Sequence, residues 1–499
     1  MLQAIGDILQ FDPSSPLMIS SGLFPWLFLV MAVGAALLRK ARAARLLWLL
    51  VCSYYCYYKT TGWALVWLMA VTVSDWLIAM AIARAASTTL KRTLVAVSVT
   101  LDLSLLAFFK YASFFAGMVG VTFVGFDVLM PVGISFYVFQ SIGYTVDVYR
   151  GRVEPTRSLL DYAFFLAFFP QLVMGPILRA GDMLPQLRRP ATVTRSMLGI
   201  GVWLVVCGLF KKAVLADFIG ANFVNRVFAD PLHSPGIVNL LATYGYAFKL
   251  YLDFSGYSEM AIGLAALLGF KIPPNFNSPY QSASITEFWR RWHISLSLWL
   301  RDYLYISLGG NRKGKARQNA NLFTTMMLGG LWHGASWNFV IWGALHGAGL
   351  VVHKWWMRLT GQDPKHPGRH PWPLHIVAVL VTFHFVCFTW IFFNTPTIAG
   401  GEVDGVYRAG ALDVLSQICF HFAPDRFGAY MSQFVGIYRQ PLAFLALAVA
   451  LHFVPESVEK RCRDTFAAMP LWTYAVALIT IVVLITQLDV TLPFDYITF

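Results

Sequence analysis

Charge is what this chain has least of. Only 13% of its 499 residues are Asp, Glu, Lys or Arg, while 58% are hydrophobic. Soluble domains carry roughly 25% charged residues, so the composition excludes one large globular fold and points to a polytopic membrane protein. Cysteine is also sparse. The six (Cys52, Cys56, Cys207, Cys387, Cys419 and Cys462) are scattered and mostly lie in apolar runs, which argues against a disulfide framework. The first hydrophobic stretch has no positive flank before it and no small-residue cleavage site, so a retained helix is expected rather than a signal peptide. Helical repeats and low-complexity tracts are missing. So are a Gly-x-Ser-x-Gly elbow and a Walker A sequence.

What fills the chain is apolar length, in runs at 23–38, 63–82, 94–109, 159–173, 196–209, 376–393, 442–454 and 471–488. A crossing needs about 20 such residues, and allowing for Gly and Pro interruptions the chain predicts about ten to twelve crossings in an all-α fold. The net charge of +13 sits in short clusters between the runs, such as Arg39-Lys40-Ala41-Arg42, Lys91-Arg92 and Lys460-Arg461-Cys462-Arg463. Basic short loops mark the cytoplasmic side, and no soluble basic domain remains to bind nucleic acid. Residues 1–21 contain no Lys or Arg. The N-terminus is therefore expected outside, and alternation from there puts residues 489–499 outside as well. The polar interval 394–440 is expected to be a surface loop with short amphipathic pieces.

Against this background, residues 284–347 crowd histidine, arginine and tryptophan together: Glu287-Phe288-Trp289-Arg290-Arg291-Trp292-His293, then Trp299-Leu300-Arg301-Asp302-Tyr303, then Gly329-Gly330-Leu331-Trp332-His333-Gly334 and His346-Gly347. Ionisable groups at membrane depth are expensive, which makes this cluster the default functional site. If residues 287–304 form one helix, Arg290, His293, Ser297 and Arg301 fall within roughly 60–80° of one another. That stripe fits an interfacial helix meeting lipid phosphates. It equally fits a cytoplasm-facing site for an anionic substrate, with Gly309-Gly310-Asn311-Arg312-Lys313 able to cradle phosphate. His333 lies between nearly charge-free runs, with Gly329, Gly330 and Gly334 allowing close approach and Trp332 and Trp337 expected to wall a cavity. An imidazole with an ordinary pKa of about 6.5 suits removal of a hydroxyl proton, although a lone apolar-face histidine also suits a structural hydrogen bond. His293, His333, His346 and His353 lack the HxxxH spacing of a di-iron site, so no metal is expected, and His366 and His370 belong to a Pro-rich connector. Two other polar sets interrupt the apolar runs. Asp253 in Asp253-Phe254-Ser255-Gly256-Tyr257-Ser258 suits helix–helix pairing or a cavity lining, and Asp147 suits pairing.

These residues resemble the membrane-bound O-acyltransferases, most closely the bacterial branch that O-acetylates alginate and related polysaccharides and peptidoglycan. The carrying motifs are Pro131-Val132-Gly133-Ile134-Ser135-Phe136-Tyr137, Phe169-Pro170 with Gly175-Pro176-Ile177, residues 253–258, Asn275-Phe276 with Pro279-Tyr280, residues 288–310, and Leu331–Gly334 with His346-Gly347. The tail Pro493-Phe494-Asp495-Tyr496-Ile497-Thr498-Phe499 is similar to the aromatic tail of that branch, with Asp495 and Ile497 departing from it.

The resemblance implies a single acyltransferase domain over 1–499: N-terminal helices at 1–130, a catalytic core at 131–356, then C-terminal helices and an extracytoplasmic tail at 357–499. It also implies a ring of helices around a funnel with re-entrant helices. His333 is then the catalytic histidine, His293 the second polar residue and Tyr496 a possible acyl relay. Arg290, Arg301, Asn311 and Arg312 are donor-binding candidates, and Asp253, Trp332, Trp337 and His346 line the cavity. The implied activity is transfer of acetyl from cytoplasmic acetyl-CoA across a bacterial inner membrane for O-acetylation of an exported polysaccharide, with acetyl-CoA as co-substrate, no bound cofactor, and a periplasmic or secreted O-acetyltransferase as partner. The alternatives are D-alanyl or other acyl transfer to a cell-wall polymer and, from another class, a transporter.

Overall fold

The computed structural model describes residues 10–13, 15–118, 131–189, 192–361, 371–403, 406–422, 427–488, 490 and 492–493. Tyr496, His366 and His370 lie outside them. Among the described residues the regular elements are helices apart from a two-stranded antiparallel hairpin, Gly401–Val403 with Val406–Arg408. Among the described residues six stretches are long and apolar enough to cross a membrane: Arg42–Arg84, Thr88–Ala112, Arg195–Ala229, Trp372–Asn394, Phe427–His452 and Leu471–Leu488. The larger number expected from the sequence also counted shorter apolar runs, some of which form helices too short to span. The chain divides into two compact units.

The first unit comprises Met1–Cys207, Tyr257–Pro274 and Arg463–Tyr474. Its central helix, Ile134–Tyr149, is buried on every side: Phe136, Tyr137, Val138 and Phe139, which together make a full turn, are each at most 5% exposed. One of its polar groups, Ser141, joins a hydrogen-bond network with neighbouring helices. Ser98 donates to Asp75 Oδ1 at 2.7 Å. Ser141 donates to the other carboxylate oxygen, so the Tyr162 hydroxyl must donate to Ser141, at 2.8 Å.

The run 159–173 does not span. It breaks at Phe168 into Leu159–Ala167, of nine residues, and Phe169–Leu172, of four. Nine residues rise only about 14 Å, less than half the hydrocarbon thickness. Broken backbone survives at such depth only where protein satisfies it. Here Gln171 Nε2 donates to Phe165 O at 2.9 Å and the Phe169 N–H donates to Ser53 Oγ at 3.3 Å. Two arginines of the Arg39–Arg45 cluster have a structural use. Arg42 pairs with Asp161 at 2.5 Å. Arg45 is buried and donates to Leu268 O at 2.6 Å, just beyond a helix end, where exposed carbonyls favour a cation.

The second unit comprises Gly208–Gly256, Asn275–Cys462 and Ala475–Phe499, and its buried aromatic core includes Phe288, Trp292, Trp342, Trp390 and Phe393. Two helices, Gly314–His333 and Trp337–Leu359, approach closely through glycine. A Cβ on Gly330 would come within 2.2 Å of Phe339 O, and one on Gly343 within 2.5 Å of Met326 O. Small residues of this kind let backbones meet without a hydrophobic driving force. Between the helices the chain turns at Gly334–Ser336, and Ser336 caps the second helix by accepting from Asn338 N at 3.2 Å.

The interval 394–440 is more ordered than a loop. It holds the hairpin, the helix Ala411–Phe420, whose Ala411 and Val414 are both 0% exposed, and the start of Phe427–His452. That last helix is kinked at Tyr438, three residues before Pro441, whose ring and missing N–H disrupt the preceding turn.

Candidate functional site

The cluster at 284–347 folds within the second unit, and its first correction is local. Residues 287–304 are not one helix. They form Ile285–Arg291, then Ile294–Trp299, then a π-helical turn Leu300–Tyr305. The break is at His293, whose φ of 41° and ψ of 57° put a non-glycine residue in the left-handed region. Such a conformation persists only when its surroundings impose it. A short pairing does so: Asn277 N donates to Arg291 O and Ile294 N to Asn275 O, both at 2.9 Å.

The Asn275 side chain completes the constraint. Its Oδ1 accepts from Ser295 N at 3.1 Å and from Ser295 Oγ at 2.9 Å, and His293 Nδ1 lies 3.3 Å away. The amide N–H of Ser295 can only donate, which identifies the Asn275 atom as oxygen. His293 Nδ1 must then carry the proton, leaving Nε2 as the basic nitrogen. The His293 ring is 0% exposed and meets Phe254 edge-on at 4.7 Å.

His333 ends its helix and is 5% exposed. Its ring is boxed by Trp332 at 4.9 Å, Trp342 at 5.0 Å and Phe393 at 5.2 Å, all edge-on. Trp332 also lies 6.3 Å from the His293 ring, so the two histidines, forty residues apart in sequence, share one indole as neighbour. Trp337 does not wall this site. It stands at the first position of its helix, 54% exposed, and Trp342 takes the place expected of it.

His346 does not line an open cavity. It is 0% exposed, accepts from Trp289 Nε1 at its Nδ1 (3.2 Å), and bonds Thr389 Oγ1 through Nε2 at 2.9 Å. With Nδ1 accepting, Nε2 holds the proton and donates to Thr389, which passes its own proton to Val386 O. Both ring nitrogens are thereby used. His346 is a packing and hydrogen-bonding residue.

The cationic stripe survives the loss of the continuous helix, without His293. Arg290, Ser297 and Arg301 line a cavity of about 520 Å³, together with Thr325, His353 and Lys354. This is within the usual 300–1,000 Å³ of small-molecule sites. Arg301 is tied to Asp302 at 2.7 Å, and His353 Nδ1 lies 2.9 Å from Thr286 Oγ1. Thr325 belongs to the His333 helix, eight residues before it, an axial rise of about 12 Å. Asn311 and Arg312 lie in the exposed turn that follows the π-helical segment and do not line this cavity. The Gly310 carbonyl of that turn is taken by Asn321 Nδ2 at 3.0 Å.

Asp253 is an ion-pair partner instead of a cavity wall. It lies 2.7 Å from Lys212 Nζ, which also bonds Asp217 Oδ1 at 2.7 Å. Sequence reasoning missed Lys212, although an intramembrane lysine in an otherwise apolar run is itself a signal. It also missed the roles of Asn275, Trp342 and Thr389.

The chain belongs to the membrane-bound O-acyltransferase family. The profile described as "MBOAT, membrane-bound O-acyltransferase family" matches residues 17–394, a span that includes His293 and His333. The chain is similar to the probable alginate O-acetylase AlgI of Pseudomonas syringae pv. tomato, at 41% identity over 78% of this chain and 75% of that protein. It is 45% identical to the probable alginate O-acetylase AlgI of Azotobacter vinelandii, over 67% of this chain and 68% of that one. The peptidoglycan O-acetyltransferase of Helicobacter pylori is 35% identical, over 70% of this chain and 71% of its own length. The protein is therefore a multi-pass membrane O-acyltransferase.

Proposed function

We propose that this protein moves acetyl from cytoplasmic acetyl-CoA across a bacterial inner membrane for O-acetylation of an exported, alginate-like polysaccharide, with His333 as the base. The observation that carries the reading is the pairing of two buried histidines across Trp332, one on a strained backbone, beside a cavity lined by Arg290, Arg301 and Lys354. Guanidinium groups suit phosphate oxygens, so this cavity receives the phosphates of the donor. In the chemical step the acceptor hydroxyl oxygen forms the new C–O bond as the thioester C–S bond breaks. The hydroxyl proton passes to His333 and from there to the departing thiolate. His293, its proton placed on Nδ1 by Asn275, acts through Nε2 as the acceptor that orients the hydroxyl.

The similarity to alginate O-acetylases supports the polysaccharide acceptor. Charge bias supports an extracytoplasmic C-terminus, where Tyr496 serves as the relay that hands acetyl to a periplasmic or secreted O-acetyltransferase. The test is acetyl transfer by purified protein in nanodiscs supplied with radiolabelled acetyl-CoA and a polysaccharide or tyrosyl acceptor. Wild type should label protein or glycan. His333→Ala should lose about 10²–10⁴ in rate while inserting normally. Near-normal labelling by His333→Ala would remove it from the chemistry, and release of an unmodified solute by wild type would favour a transporter.

A further inference from the structure

Lys212, Asp217 and Asp253 are buried at 1%, 2% and 1% exposure, in mostly apolar segments. Their geometry has a local cause. Residues five apart on an α-helix point about 140° away from each other. Phe210–Ala216 is instead a π-helix, whose wider turn brings position 217 back beneath position 212 and allows the 2.7 Å contact. Asp253 arrives from the helix Gly236–Leu267. A Cβ on Gly256 of that helix would come within 2.8 Å of Gly208 O and 3.1 Å of Lys212 N, so glycine permits the approach.

Another segment also bonds this cluster. The Leu492 N–H donates to Asp217 Oδ2 at 3.3 Å, and Leu492 O accepts from Lys212 Nζ at 3.1 Å. Both main-chain groups of one residue near the C-terminus are thus held by one buried charge cluster. Gly220 makes room for its side chain, since a Cβ there would come within 3.0 Å of Leu492 Cδ1. Withdrawing residue 492 would strip hydrogen bonds from a buried ammonium and a buried carboxylate, which is the costly case for polar groups away from water.

We propose that Lys212, Asp217 and Asp253 form a main-chain clamp on Leu492 that positions the C-terminal segment for acyl transfer. These are positioning residues. The role in transfer rests on the acyltransferase reading above, whereas the clamp itself does not.

The test uses full-length protein in nanodiscs, with Cys419 and Cys462, the two exposed cysteines, replaced by serine. Leu492→Cys should react slowly with a maleimide. In the same background, Lys212→Met/Asp217→Asn/Asp253→Asn removes all three charges together, so none of the three is left buried without its counter-charge. The reaction at position 492 should then accelerate about 10- to 100-fold, the scale of one charge-assisted hydrogen bond. Acetyl transfer should fall by a similar factor, and a disulfide between Gly220→Cys and Leu492→Cys in the neutralised protein should restore it. Unchanged labelling after neutralisation overturns the clamp. Faster labelling with undiminished transfer, or transfer that stays lost after the crosslink forms, overturns the positioning role. If wild type transfers no acetyl, the acyltransferase reading fails and the labelling arm still decides the clamp.

Discussion

His293 offers a stability comparison whose sign runs against the usual order of residues. Replacing it with Ala or with Gly removes the same ring, the same Nδ1 contact with Asn275 and the same edge-on contact with Phe254 at 4.7 Å. Those losses cancel between the two variants. What differs is the backbone at φ 41°. A Cβ there costs about 1–2 kcal/mol, and glycine avoids that cost. Glycine also has more freedom to lose on folding, worth about 0.5–1 kcal/mol in favour of alanine. The alanine methyl recovers little, because it borders the void left by the ring.

The balance favours His293→Gly over His293→Ala by about 0.5–1 kcal/mol, although ordinarily alanine is the more stable replacement. In a chain of this length that is a difference of roughly 1–2 °C in unfolding midpoint, extrapolated from smaller domains. Tryptophan fluorescence during heating in detergent can resolve it over replicates. Both variants should melt below wild type, and both should lose acetyl transfer. An alanine variant that melts at or above the glycine variant would show that His293 is not strained, and would falsify its reading as a residue held against its preference.

Three further outcomes follow from the site's geometry. His346→Ala should cost about 2–4 kcal/mol, because it orphans the buried Trp289 and Thr389 partners and opens a void. The protein that does fold should still turn over, and a complete loss per folded molecule would return His346 to the chemistry. Arg290→Ala/Arg301→Ala should raise the KM for acetyl-CoA more than it lowers kcat, with a salt sensitivity set by screening over about 8–10 Å. Asn311→Ala/Arg312→Ala should leave that KM nearly unchanged, since neither residue lines the cavity. Equal effects of the two pairs would sink the assignment of the donor site.

The sequence carried the membrane class, because sparse charge and long apolar runs are properties of composition. It also carried the motif around His333, because histidine between glycines and tryptophans stands out against hydrocarbon. Continuity is where it misled. A 100° wheel drawn through residues 287–304 placed Arg290, Ser297 and Arg301 correctly on one wall but put His293 with them. The side chain that breaks the helix, Asn275, lies eighteen residues upstream, and its three contacts leave no trace in the local period. The same blindness applied to His346, which matched a family motif and lay in an apolar run, as His333 does. Only the positions of Trp289 and Thr389, on two other helices, distinguish a histidine with both nitrogens used.

Lys212 shows the converse case. As an interruption of an apolar run, Asp253 suited either helix–helix pairing or a cavity lining, and its partner was not legible. An α-helical reading of 210–217 turns Lys212 and Asp217 away from each other, so no ion pair could be drawn between them. The π-helical turn reverses that, and its cause is tertiary: the charge on Asp253 and the main chain of Leu492 both require an ammonium at one buried point. A helix deformed to meet distant groups is a place where local rules fail because function or folding outweighs them. On that argument the left-handed His293 and the π-turn at Lys212 are positions in this unit where substitutions that improve local propensity should be poorly tolerated by activity.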